Sequence, residues 1–280
     1  MPDALQPNAP CDDVHAKALE GLWLFPFIAP PNGGKGTQTQ RLARDLQLPK
    51  LDTGAELRKM AAEDTPLGHS IRERLNQGLL VDTPVVMRVL EAAIFRLMAS
   101  GSQHQQGGMY NVPCVAPPPC RAMILDGFPR NREQVEGLGR LCEQTGMRIG
   151  KAIYLKVPHE VIYQRANNRR LCPACHAIYN LQTTPPRVSG VCDVDGAALI
   201  QRPDDQLETV KTRLALFEDE TRPMIAWFRE RGYLLKIDGN RPPDDITEEL
   251  EAALTGFLSG SPAPTTTARL AKPARGPSSL

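Results

Sequence analysis

The sequence predicts an α/β fold: a parallel sheet with helices on both faces, built on a P-loop NTPase-type phosphate turn. Three observations carry this. An apolar run at 22–28 leads into a Pro/Gly-rich turn at 29–37 and then into a helical stretch. Apolar strand-like runs alternate further on with segments of helical period, the pattern of a sheet covered on both sides. A second apolar run, 122–125, ends in Asp126, at the strand end where open α/β sheets bind ligands.

The 280 residues are 41% hydrophobic and 23% charged, ordinary for a soluble globular chain. A net charge of +1 gives no global field favouring nucleic acid or an anionic membrane. No apolar run approaches the ~20 residues of a membrane span. The first residues lack the marks of a signal or transit peptide, so a cytoplasmic location is expected. Seven cysteines, three of them at metal-ligand spacing, favour a reducing compartment over a disulfide framework.

Taken in order, residues 1–20 read as a mobile arm and 22–28 as the first strand. Pro26 conflicts with that strand, because a central strand cannot spare a backbone donor. A helix covers 37–46, and 48–52 is a short connection or strand. Apolar residues at three- and four-residue spacing make 53–100 helical. Residues 101–120 have no periodicity and read as an insertion. A strand at 122–125 and a helix at 132–145 follow, then a strand at 151–157 and a helix at 158–170. Residues 171–201 are rich in Cys, Pro and Gly. A long helix or helix pair spans 204–231, the last strand 233–237, and the last helix 246–257. Residues 258–280 read as a disordered tail.

Gly33, Gly34 and Gly36 allow backbone N–H groups to curl around an anion at a helix N-terminus. Lys35 would reach β/γ-phosphate oxygens, and Thr37 would help hold Mg²⁺. Asp126 would hold water on the same Mg²⁺, with Arg130 facing the same crevice. Arg58, Arg165, Arg169, Arg202 and Arg213 are further planar donors of the kind phosphoryl transfer requires, although spacing alone does not bring them together. Cys172, Cys175, Cys192 and Asp195 form C-x₂-C…C-x₂-D with 16 residues between the pairs. That set suits a closed, structural Zn²⁺ site, with His176 a competitor for the fourth position. Cys142 reads as core-facing, and Cys11, Cys114 and Cys120 as loop thiols.

Together these stretches resemble the adenylate kinase family in its long form with a zinc-binding lid. The resemblance rests on GGKGTQ (33–38), DTGAELR (52–58), GLLV (78–81), LDGFPRNREQ (125–134), RANNRRLCPACHAIYN (165–180), QRPDDQLETVKTRL (201–214) and IDGNRP (237–242). It implies a domain over 21–257 with a five-stranded parallel sheet, a monophosphate-binding part at 52–81 and a lid at 168–205. The implied reaction is MgATP + AMP ⇌ MgADP + ADP in a monomer with no nucleic-acid or membrane partner. Carried onto matching positions, Gly33 to Thr37, Arg165, Ile178, Tyr179 and Arg241 would hold ATP. Thr53, Arg58, Leu79, Leu80, Val81, Arg130 and Gln134 would bind AMP. Arg169, Arg202 and Arg213 would surround the phosphates, the last two also on the AMP side, and Asp204 and Asp205 would sit at the lid hinge.

The chain departs from the family pattern at Ala29 and Asn32, where the loop has Gly, and at Ala55, where an acidic residue is usual. Asn tolerates positive φ, so the turn is expected to survive at Asn32. Two other readings follow from these departures and from the donor site: a catalytically weak paralogue serving as nucleotide sensor or scaffold, and a GTP:AMP phosphotransferase.

Overall fold

A computed structural model describes residues 19–99, 122–175 and 177–259. The expected insertion at 101–120, most of the N-terminal arm and nearly all of the tail lie outside these residues, as do His176, Cys11, Cys114 and Cys120.

Strand β1 (Trp23–Ile28) feeds the phosphate turn and helix α1 (Lys35–Asp45). Then come β2 (Lys50–Asp52), α2 (Thr53–Ala62), α3 (Pro66–Asn76) and α4 (Thr83–Ala99). After 121 the chain continues through β3 (Ala122–Asp126), α5 (Arg132–Thr145), β4 (Arg148–Ile149), β5 (Ala152–Lys156) and α6 (His159–Asn168). A small hairpin, β6 (Arg169–Leu171) with β7 (Ile178–Asn180), opens the Cys-rich segment. Helix α7 (Leu207–Leu216) runs through a π-helical turn (Phe217–Thr221) into α8 (Arg222–Glu230). Strand β8 (Leu234–Asp238) and helix α9 (Pro243–Ser259) complete it.

The sheet has the order β2-β3-β1-β5-β8, and every pairing in it is parallel. The two-residue β4, absent from the sequence reading, adds to β1 beside β5. Side chains alternate between faces as the strand period requires. Phe25 and Phe27 of β1 and Ile124 of β3 join Leu42 of α1 and Leu250 of α9 in one core. Leu24, Met123 and Leu125 face the other way, against Leu90 and Ile94 of α4 and Leu138 of α5. Phe25, Leu24, Ile124 and Leu125 are fully buried, each worth about 1.5–3 kcal/mol of transfer free energy.

Pro26 sits in a central strand after all, and the register says why. β1 meets β4 at Trp23 and Leu24 but meets β5 only at Phe27 and Ile28. The Leu24 carbonyl accepts from Gly150 N at 2.9 Å. Pro26, two residues on, sends its backbone to the same side, where residues 150–151 interrupt the neighbouring strand. The missing N–H therefore faces a break, and no ladder bond is lost.

Other boundaries also move. Leu19, inside the arm expected over 1–20, is buried in the core. Helix α9 runs to Ser259 and Leu258 packs on the core, so 258 and 259 are helical where the sequence placed them in the tail. The expected helix 158–170 stops at Asn168, because Arg169 to Leu171 pair with β7 instead. Among the described residues no helix is long and apolar enough to cross a membrane.

Candidate active site

The phosphate turn closes as glycine chemistry dictates. Gly33 N donates to Pro30 O at 3.0 Å, and a Cβ on Gly33 would meet that oxygen at 2.9 Å. Gly34 takes φ +84 at the N-cap of α1. Asn32 takes φ +54, as its tolerance of the left-handed region allows. Asp52, Thr65 and Asn131 cap α2, α3 and α5 with side-chain oxygens, whereas α1 has no side-chain cap. Its first N–H groups and positive dipole end are left for an anion.

Lys35, the first residue of α1, forms an ion pair with Asp126 at the end of β3. The other Asp126 oxygen accepts from Thr39 Oγ1 at 2.7 Å and lies 3.5 Å from Lys50 Nζ. Asp52 is the register partner of Asp126 on the adjacent strand. Its Oδ2 lies 3.9 Å from Arg58 Nη2. Burial pushes Lys35 down to about 7; Asp52 opposes this, and Arg130, Lys50 and Arg213 add to it by repulsion.

A single cleft of about 2580 Å³ gathers the charged residues that the sequence scattered. Lys35, Arg58, Arg130, Arg165, Arg169, Arg202, Arg213 and Arg241 all line it, with Gly33 to Thr37 at its base. Arg130 is held by its own turn, Nε to Gly127 O at 2.9 Å. Arg165 Nη2 donates to Gly239 O at 2.9 Å. Arg213 lies 3.5 Å from Asp204, and Arg169 lies 3.6 Å from Asp205. Burial and then Arg213 push Arg130 down to about 10. Arg202 and Arg213 are also lowered, burial first. So many cations facing one volume call for a polyanion.

The structure does not bring every expected residue to the cleft wall. Leu80, Ile178 and Tyr179 line it; Thr53, Leu79, Val81 and Gln134 do not. Val81 is buried in the core, and Leu79 is at the surface. Thr53 is buried with its hydroxyl unpartnered. Gln134 is buried, and its Oε1 accepts from Arg130 N at 2.8 Å. Sequence reasoning missed Thr39, Lys50 and Asp52. Only Asp52 carried a readable sign, an Asp placed to cap the helix that starts at Thr53.

In the Cys-rich segment, Cys172, Cys175, Cys192 and Asp195 offer donor atoms all within 4.8 Å of one another. Cys175 and Cys192 sulfurs are 3.5 Å apart, and Cys172 Sγ is 3.2 Å from Asp195 Oδ2. A tetrahedral centre with Zn–S near ~2.3 Å needs separations of this order, so the set fits zinc. Ala197 N donates to Asp195 Oδ1 at 3.0 Å and holds that carboxyl below its usual range. The Tyr179 hydroxyl accepts from Asp193 N at 2.8 Å and lies 3.4 Å from Cys192 Sγ, so its polar end belongs to this cluster. Cys142 is half-buried against the core, which pushes its thiol up to about 12.

Comparison with known proteins agrees with this geometry. The family model described as adenylate kinase, active site lid, matches residues 169–204. An adenylate kinase from Caldanaerobacter subterraneus subsp. tengcongensis is 36% identical over 82% of this chain and 95% of its own length. Adenylate kinases from Thermoanaerobacter sp. (strain X514) and Archaeoglobus fulgidus are each 34% identical, over 81% of this chain and 96% of theirs.

Proposed function

Since the chain belongs to the adenylate kinase family and is a nucleoside monophosphate kinase, we propose that it transfers the γ-phosphoryl group of MgATP reversibly to AMP, giving two ADP. One observation carries the assignment of roles: the arginines of distant segments converge with Lys35 on one cleft over an uncapped helix N-terminus.

ATP phosphates sit on the N–H groups of Gly33 to Thr37, and Lys35 turns from Asp126 to the β/γ oxygens. Asp126 and Thr37 would hold Mg²⁺, which would supply neutralising charge to the phosphates. Arg165 and Arg241, with Ile178 and Tyr179, hold the ATP side. Arg58, Arg130 and the 79–81 segment hold AMP, and Gln134, whose Oε1 is engaged by Arg130 N, reads the adenine edge through its amide nitrogen. Arg169, Arg202 and Arg213 spread over the transferred group. An AMP phosphate oxygen attacks Pγ, the Pγ–O bond to the β-phosphate breaks, and ADP leaves with that electron pair. The attacking oxygen is already anionic, so no general base is needed; positioning and charge neutralisation carry the rate. The 52–81 part closes on AMP, and the 168–205 lid excludes water, so that transfer goes to AMP. Four protein donors would leave zinc no open position, and its role would be to hold the lid's fold.

The test is turnover of MgATP with AMP in a coupled assay, with GTP as competing donor and Lys35→Ala as control. Turnover with ATP that disappears in the control supports the assignment. ATP binding without turnover would refute it.

A further inference from the structure

Asn32 occupies a place in the phosphate turn where its side chain is not needed for the backbone. At φ +54 glycine is at least as comfortable. What the side chain does is reach Arg169 at the base of the Cys-rich segment. Arg169 Nη1 donates to Asn32 Oδ1 at 2.9 Å across 137 positions of sequence. Guanidinium only donates, so the carboxamide must present its oxygen, and its NH₂ end is turned away. That Nδ2 is buried and has no hydrogen-bond partner. Arg169 Nε is in the same condition, as are both carboxylate oxygens of Asp205, 3.6 Å from Arg169 at the nearest. Buried polar groups are normally satisfied, so unmet donors on two joined cleft-lining residues, beside the unmet acceptors of Asp205, mark an arrangement completed by something else. The donors suit phosphate oxygens.

Resting on the kinase reading above, we propose that Asn32 is a positioning residue for phosphoryl transfer. It tethers the Arg169 guanidinium to the phosphate turn before nucleotide arrives, and leaves Asn32 Nδ2 and Arg169 Nε as donors for the bound phosphates. The tether spans two elements that must move together when the site closes. A glycine at 32 would leave Arg169 without this guide.

A double-mutant cycle on the full-length protein tests this, using Asn32→Gly, Arg169→Ala and the pair, with MgATP and AMP as substrates. Asn32→Gly relieves rather than strains the backbone, and its melting temperature checks that it folds. Expected is an about tenfold lower kcat in Asn32→Gly, with KM for AMP within about twofold of the parent. The pair should be no slower than Arg169→Ala alone, because the residues act through one interaction. Asn32→Gly turning over as fast as the parent or faster would overturn the proposal, making the side chain a mere obstruction. Losses that multiply in the pair would overturn it too. Lys35→Ala, run beside them, separates the readings: if it retains activity the kinase site itself is misassigned, and if it alone is inactive only the tether fails.

Discussion

Lys35 and Asp126, 91 positions apart, are locked in an ion pair beneath the phosphate turn, and Lys50 shares the same carboxylate from the other side at 3.5 Å. On the proposed reading, the cation that would bind phosphate thus rests on the carboxylate that would hold Mg²⁺. Asp126→Asn should weaken both partners and lower kcat by about 100-fold. A variant within about threefold of the parent would refute that role.

Lys35 also sets a pH dependence. Burial brings its folded pKa down to about 7 from 10.5, and only the protonated form attracts phosphate. In the ligand-free enzyme kcat/KM for ATP should therefore fall as pH rises through about 7. Stability runs the opposite way. The unfolded chain binds the extra proton between about 7 and 10.5, so this group's contribution to stability rises with pH across that window. A flat kcat/KM profile across it would refute the first expectation.

Arg130 is a planar fork anchored through Nε to Gly127 O. Lysine keeps the charge but neither the fork nor the anchor. Arg130→Lys should lose about 100-fold in kcat without a comparable change in melting temperature. Near-parental turnover would mean that charge alone suffices there.

Zinc analysis of the purified protein should find about one ion per chain. Cys175→Ala should lose it and lower the melting temperature while the cleft arginines stay in place. Full thermal stability in a metal-free protein would contradict a structural role.

Gly150 lies where a Cβ would meet the Phe25 ring at 2.7 Å. Gly150→Ala should cost about 1–3 kcal/mol by overpacking, read as a shifted denaturation midpoint. An unshifted midpoint would show that the ring yields freely.

Much of this was legible in the sequence because strand, turn and helix each leave a pattern. The glycines of 33–36, the apolar runs and the paired cysteines announce local structure that the neighbouring residues alone decide. Pro26 looked like an error because its tolerance depends on a break at 150–151, far away in the chain. Arg169 and Arg170 read as the end of a helix because their strand partners, Tyr179 and Asn180, lie beyond the first cysteine pair. Lys50 and Thr39 were invisible for a plainer reason: a single polar residue has no periodicity, and only the fold aims it at Asp126. The convergence of the arginines likewise needed the sheet order, which brings β2, β3 and β1 side by side.

That convergence reaches beyond the chemistry of transfer. The cleft arginines are lowered by burial and by one another, and a polyanion bound among them would relieve that repulsion. Ligand at a hundred times its dissociation constant adds about 2.7 kcal/mol to the folded state, against which a domain's whole margin is small. Added nucleotide should therefore also slow the digestion of the purified protein by a protease.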